Sequence, residues 1–465
     1  MTYSTQELLR FPPVAGLTVR GDFEGGALSS DFGPLLLGGV DRQIGLTERL
    51  AAAFQDHRHP SYLTHPLQDL FAQRIYQLAC AYEDGNDANA LRTDPGFQLG
   101  LERLPLDAVA DLASAPTLSR LENAATRKDL YRLAVAFVEP FIASYAHPPA
   151  VIVLDLDHAE DAAYGQQELI FYHADYQSHC YLPLFLFEGL SGQFITAALR
   201  PGKRPTGAEN AMIVQRLLKR RRAAWPDTPI ILRSDAPFAT AELMQLVLED
   251  PRADFIFGLS SNAILKPLVQ PFLDATRRQH DVRGDNARRH HPPAPAVTRT
   301  DHDLDYAAQT WPHPFRVVLK AEVMALGDNP RVVVTSLDRP TPKSLYCDLY
   351  CARGQDENGI KMLKNALASD RTADPRFLAN PLRLFFACGA YVLHQALRTE
   401  VLVHTELAHA QPATVILKLF KLAVRVVQYQ DRLKLHLPSS CPVKALLPQV
   451  TEILFQVREP GCNTS

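Results

Sequence analysis

Two apolar runs that each end in aspartate constrain this chain more than any other feature. Val151-Ile-Val-Leu-Asp155-Leu-Asp157 and Pro229-Ile-Ile-Leu-Arg233-Ser234-Asp235 are short and rich in branched aliphatic residues. Continuous apolar runs of that length read as strands buried on both faces, which occur where helices cover a sheet on each side. Between them lie strand candidates at 168–173 and 181–187 and a basic helix over about 209–224. After the second run come a helix at 240–248 and a strand at 255–259. The chain is therefore expected to build an α/β layer around these two runs.

Three strands, a helix, a strand, a helix and a strand, in that order, describe the start of a ribonuclease-H-like core. Paired strands lie about 4.8 Å apart, so carboxylates at neighbouring strand ends converge. Asp155 and Asp157 alternate onto one face, and the first run alone leaves open which of them serves the site. A third carboxylate comes from Tyr350-Cys-Ala-Arg353-Gly-Gln-Asp-Glu357-Asn-Gly-Ile-Lys361-Met-Leu-Lys364. Gaps of three and four residues put Tyr350, Arg353, Glu357, Lys361 and Lys364 on one stripe of an α-helix, with Ile360, Leu363 and Leu367 on a separate apolar face. Three converging carboxylates repel one another unless cations neutralise them. Two Mg2+ ions, with Mn2+ as a substitute, about 3.5–4 Å apart would do so and would serve cleavage of a phosphodiester.

The rest of the chain is expected to surround that core. Residues 1–145 read as helical and DNA-binding, 146–262 as the first part of the core, 263–345 as a β-rich insertion, 346–400 as its remainder and 401–465 as C-terminal helices. Leu112-Ala-Ser114-Ala-Pro116-Thr117-Leu-Ser119-Arg120 reads as a helix, a turn and a second helix, with Ser114 or Thr117 as cap and Arg120 facing phosphate. Residues 276–314, rich in Arg, His, Pro and Asp, read as a solvated loop, although strands are expected at 315–323 and 331–337. Apolar helices are expected at 382–397 and 415–427.

The net charge of −3 is no obstacle to DNA binding, because positive charge is clustered at Lys219-Arg220-Arg221-Arg222 and over 277–299. Trp311, one of two tryptophans, is expected to stack on a DNA base. Seven scattered cysteines read as reduced cytosolic thiols, and no run of some 18 apolar residues suggests a membrane span.

At these residues the chain resembles bacterial insertion-sequence transposases of the DDE type, in the branch with a Tyr-x2-Arg-x3-Glu-x6-Lys signature. Tyr350, Arg353, Glu357 and Lys364 fit that spacing. Further stretches carry the resemblance: Tyr82-Glu-Asp84-Gly-Asn-Asp87, residues 114–123, Tyr164-Gly-Gln166-Gln167-Glu168, Arg233-Ser-Asp235-Ala-Pro-Phe238, Val333-Val-Thr335-Ser-Leu337 and Asn380-Pro-Leu-Arg383. The resemblance implies Asp235 and Glu357 as catalytic carboxylates. It favours Asp157 as the first, with Asp155 as the alternative, although the usual Asp-x-Thr is Asp157-His158-Ala159 here. It also implies a cytoplasmic homodimer acting on terminal inverted-repeat DNA and target DNA, through hairpin ends, with Tyr350, Arg353, Lys361 and Lys364 reading phosphates. The alternatives are a domesticated nuclease that only hydrolyses and an inactive repeat-binding regulator.

Overall fold

The computed structural model describes residues 9–105, 111–290 and 296–455. They sort into one unit of Met1–Leu130, Asn365–Ser369 and Gly389–Ser465, and a second of Tyr131–Lys364 and Asp370–Cys388.

The first unit corrects the purely helical expectation at both chain ends. It opens with a hairpin of β1 (Leu9–Val14) and β2 (Leu17–Gly21), followed by β3 (Ala27–Ser29). Both hairpin strands are largely exposed, so they carry no in-and-out alternation for a sequence reading to detect. β3 pairs antiparallel with Val424–Gln428, which pairs with Leu433–His436. The apolar helix expected over 415–427 therefore ends at Phe420, and the alternately buried Val424 and Val426 belong to a sheet. Helices Gly33–Ile44, Leu46–Ala53 and Leu67–Ala79 form much of the remainder.

The helix-turn-helix reading also fails in its first half. Within residues 112–123 the helix begins at Ala115, with Ser114 extended at its N-cap. Ala113 is held in a non-helical segment by the Gln73 amide, which accepts from its N–H at 2.9 Å and donates to its carbonyl at 2.8 Å. Elsewhere in this unit, Tyr82 donates to the fully buried Asp31 at 2.6 Å, and Lys421 donates to the same carboxylate at 2.7 Å. The first of the resemblance motifs thus has a packing role.

In the second unit a nine-stranded mixed sheet runs through β4 (Ile152–His158), β8 (Leu184–Glu188), β9 (Phe194–Ala198), β10 (Ile230–Ser234), β11 (Ala253–Leu259), β12 (Val297–Tyr306), β13 (Phe315–Met324), β14 (Gly327–Asp328) and β15 (Arg331–Thr335). Its order is β12-β13-β15-β11-β10-β4-β8-β9, with β14 on β13. β10 is parallel to both β4 and β11, whereas β8 is antiparallel to β4. Three more short strands, β5 (Asp161–Ala162), β6 (Phe171–His173) and β7 (Ser178–Tyr181), form a separate small sheet. Thus 168–173 does not supply the second core strand, and β9 completes the expected trio instead. Pro183 splits the candidate at 181–187, because proline has no N–H for a ladder.

One face of the large sheet packs Leu154, Leu156 and Leu232 against helices Gly207–Ala224, Ala241–Leu248 and Leu265–His290. The segment expected as an insertion extends this sheet, since β15 pairs with β11 and β13 with β15. The solvated loop expected from 276 is also corrected. The helix continues to His290, and β12 pairs with β13 over ten residues. Buried Leu265, Val269, Leu273, Thr276 and Ala287 give that helix its inner stripe, which its surrounding charge disguises.

Candidate active site

Backbone alternation puts Asp155, Asp157 and Arg233 on the sheet face opposite Leu154 and Leu232. Asp155 and Arg233 are direct partners across β4 and β10. Arg233 clasps Asp155 bidentately, Nε and Nη2 each donating at 2.6 Å, with both side chains nearly inaccessible. Gly189 makes the clasp possible, since a Cβ there would lie 2.4 Å from Asp155 Oδ2 and 2.5 Å from Arg233 Nη2. Burial pushes the Asp155 carboxyl up and Arg233 pulls it back, to about 6, so the pair is ionic at neutral pH. Asp155 is therefore held within the sheet by Arg233, outside the group that Asp157 forms with His158 and Asp235.

Asp157 lies beyond it and meets Asp235, which follows the last residue of β10. Donor atoms of Asp157, His158 and Asp235 fall within 4.8 Å of one another. Asp235 Oδ1 is enclosed without a hydrogen-bond partner, as is His158 Nδ1. Burial and then the Asp157 charge raise the Asp235 pKa to about 7. Burial, reinforced by Arg200, lowers that of His158 to about 4, so the imidazole is neutral. Two converging carboxylates, one with an unused buried oxygen, fit a hard divalent cation such as Mg2+ or Mn2+.

The expected five-residue stripe on a single α-helix is not what forms. Leu345–Tyr350 is a π-helix, Cys351–Arg353 a 3-10 turn, and only Gly354–Leu367 is α-helical. Arg233 also donates to the Leu349 carbonyl. A side chain reaching into a helix ladder is a recognised cause of such irregularity. The rewinding still delivers Arg353 to the carboxylates. Its Nη1 donates to Asp157 Oδ2 and its Nη2 to Glu357 Oε1, each at 3.1 Å. Burial opposes the Arg353 charge, but Asp157 and Asp356 outweigh it and raise the pKa.

Tyr350 enters from the same segment. A Cβ on Gly258, in β11, would come 2.6 Å from its hydroxyl oxygen, so glycine is what admits the ring there. Asp235, Tyr350 and Arg353 all line a cavity of about 730 Å3 that continues past Lys266 and Arg331. Glu357 is half exposed, Lys361 exposed, and Lys364 donates to the Glu160 carbonyl at 2.8 Å.

Sequence reasoning missed Asp356. It is nearly inaccessible, accepts from the Glu357 N–H at 2.9 Å and lies 3.6 Å from Arg353. Burial, then Asp155, raises its pKa to about 8. The only signal was its place inside Arg353-Gly-Gln-Asp356-Glu357, where the neighbouring glutamate drew the assignment.

Other candidate residues lie apart. Trp311 is 9% exposed and packs edge-on against Tyr306 and Phe315, so it is a core ring rather than a surface for a base. In the basic run, Arg220 pairs bidentately with Glu139, and Arg222 pairs with Asp250 at 2.6 Å. Arg221 is fully buried, 3.8 Å above the Phe141 ring, and burial lowers its pKa to about 9. Only Lys219 and Arg220 of the four are exposed. Ser114 and Thr117 are half-buried at the start of their helix, while Arg120 is exposed and donates to Thr117 at 3.2 Å. Among the described residues no helix is long and apolar enough to cross a membrane.

No curated protein matches the sequence. Among solved structures, the chain is similar to a cryo-EM structure of piggyBac transposase in a synaptic complex with hairpin DNA. The identity is 13% and the TM-score 0.41, covering 79% of this chain and 76% of that one. The sequence model of the family described as Transposase DDE domain group 1 matches residues 11–459, and the chain belongs to that family.

Proposed function

We propose that the chain is a cut-and-paste DNA transposase of an insertion sequence. It cleaves at terminal inverted repeats and joins the freed 3′ ends to target DNA through hairpin ends, as a homodimer. The observation that carries this reading is the meeting of Asp157 and Asp235 around an unused buried oxygen, with Arg353 and Glu357 alongside. The strand order, a three-stranded antiparallel set followed by two parallel strands, supports a ribonuclease-H-like core.

Asp157, Asp235 and Glu357 would hold two divalent ions. Such ions lower the pKa of an attacking hydroxyl and neutralise the charge of the leaving oxygen. Arg353 grips the phosphate beside them with the guanidinium face that now pairs with Asp157 and Glu357. Tyr350 offers a hydroxyl to a phosphate near the end, and Lys361 and Lys364 act as point charges along the strand. The helix bearing Ser114, Thr117 and Arg120 grips phosphates within an N-terminal DNA-binding region.

Strand transfer from pre-cut repeat ends tests the proposal. The protein with Mg2+ should yield joined product. Hydrolysis without joining would leave a nuclease, and repeat binding without any cutting would leave a regulator. For the basic run, Lys219→Gln with Arg220→Gln should lower the slope of log affinity against log salt by about 0.9 for each phosphate no longer neutralised, equally for every DNA sequence. An unchanged slope would remove both residues from the DNA interface. Arg221 and Arg222 are left intact because their charges serve the fold.

A further inference from the structure

The usual Asp-x-Thr is replaced in this chain by Asp157-His158-Ala159, which loses a hydroxyl and gains an imidazole. His158 closes β4 and pairs with Leu184 of β8. Alternation turns its side chain away from that of Asp157 and toward the face that the helices cover. There its ring lies 5.5 Å from that of Phe238, at 46°. Phe238 is fully buried and ends the short 3-10 turn Ala236–Phe238, which Asp235 immediately precedes. The ring contact therefore brings the imidazole to the loop that carries Asp235, at the end of the strand where Asp157 also arrives. In this way a side chain from the opposite face joins the two carboxylates, with its donor atom within 4.8 Å of theirs.

The three donors suit one ion. Ligands bonded at about 2.1 Å stand about 4.2 Å apart across an ion, so the group has to close by roughly 0.6 Å at most. Asp235 Oδ1 and His158 Nδ1 are both enclosed without a hydrogen-bond partner, which costs free energy unless something else bonds to them. Two carboxylate oxygens alone favour a hard ion such as Mg2+. An imidazole nitrogen is a softer donor, which adds little for Mg2+ and binds progressively more tightly from Mn2+ through Co2+ to Ni2+.

We propose that His158 is a nitrogen ligand of the ion held by Asp157 and Asp235, and that this centre consequently favours first-row transition ions over Mg2+. The inference rests on the reading of those two carboxylates as a metal centre. Mg2+ still binds through the oxygens, and the imidazole adds its contribution to the softer ions alone.

The probes are Mn2+, Co2+ and Mg2+, with the full-length protein and no DNA. Pulsed EPR of the Mn2+ complex should show a nitrogen nucleus coupled to the ion. His158→Phe, which keeps a ring against Phe238, should lose that coupling. So should Asp235→Asn, which dismantles the centre without touching the histidine. In titration calorimetry His158→Phe should weaken Co2+ by at least about tenfold and leave Mg2+ nearly as it was, whereas a packing role would weaken both or neither. A wild-type Mn2+ complex without nitrogen coupling overturns the proposal. A coupling that survives Asp235→Asn also overturns it, because the nitrogen then belongs to another histidine. Should His158→Phe fail to fold, the wild-type and Asp235→Asn spectra still decide. Failure of the transposase reading would look different: no joined product, with the nitrogen coupling intact.

Discussion

Asp235→Asn is expected to abolish DNA cleavage and joining, and to make the metal-free protein more stable above neutral pH. The first effect follows from the site. Replacing one carboxylate by an amide of the same shape removes a charge that holds the metals, and several kcal/mol of lost stabilisation slows the reaction by about three orders of magnitude. The second follows from burial and the Asp157 charge, which raise the Asp235 pKa from 3.8 to about 7. Below about pH 4 the carboxyl is protonated whether the chain is folded or not, and its contribution to stability is fully present. Between about 4 and 7 the unfolded chain ionises while the folded one keeps its proton, so stability falls as pH rises. Above about 7 the loss is complete, at most about 4 kcal/mol.

The asparagine variant has no such slope, so its advantage in urea unfolding with EDTA should grow from pH 4 to 7 and then level off. Mn2+ should stabilise the wild type at pH 8 and leave the variant unmoved. Glu357→Gln should also abolish cutting and joining, but its half-exposed side chain should bring no gain in stability. Wild-type cleavage by Asp235→Asn would remove Asp235 from the chemistry. A variant no more stable than the wild type at pH 8 would show that the two carboxylates do not repel.

The legible parts of this fold are those where one physical signal dominated. The apolar runs ending at Asp157 and Asp235 could be read because buried strands need continuous hydrophobic residues, and their convergence followed from strand spacing alone. Spacing put Arg353 and Glu357 side by side, and they do meet, although the helix expected for them is partly a π-helix. The rewound segment still turns Arg353 toward Asp157. What stayed hidden depended on tertiary partners. Nothing local distinguishes Asp155 from Asp157, and only the cross-strand position of Arg233 assigns the first to the sheet. Arg221 looked like a solvent-facing cation until Phe141 and Trp225 covered it. Helix Leu265–His290 was masked by its charge, and Val424–Gln428 by an apolar pattern that suits both helical and strand periods until β3 selects the strand.

The same partnership yields the other large effect. Arg233→Met leaves Asp155 buried without its counter-charge, and breaking such a pair by removing one member costs about 3–5 kcal/mol. The cost should depend on pH. With Arg233 in place, burial already raises the Asp155 pKa to about 6, so its contribution to stability is lost as pH rises from about 4 to 6. Without the guanidinium the folded pKa moves higher still, and the loss continues further up the scale. The variant should therefore lie closest to wild type in acid and furthest from it near pH 8.

The double variant Arg233→Met with Asp155→Asn removes the stranded charge and should recover much of the deficit, an interaction that a double-mutant cycle in urea can read directly. Full recovery is not expected, because Arg233 also donates to the Leu349 carbonyl and so holds the segment that presents Tyr350. Cleavage by the double variant should accordingly remain slow even where its stability is restored. An Arg233→Met protein within about 1 kcal/mol of wild type at pH 8 would show that Asp155 is not stranded by the loss, and would return it to the candidates for the first metal-holding carboxylate.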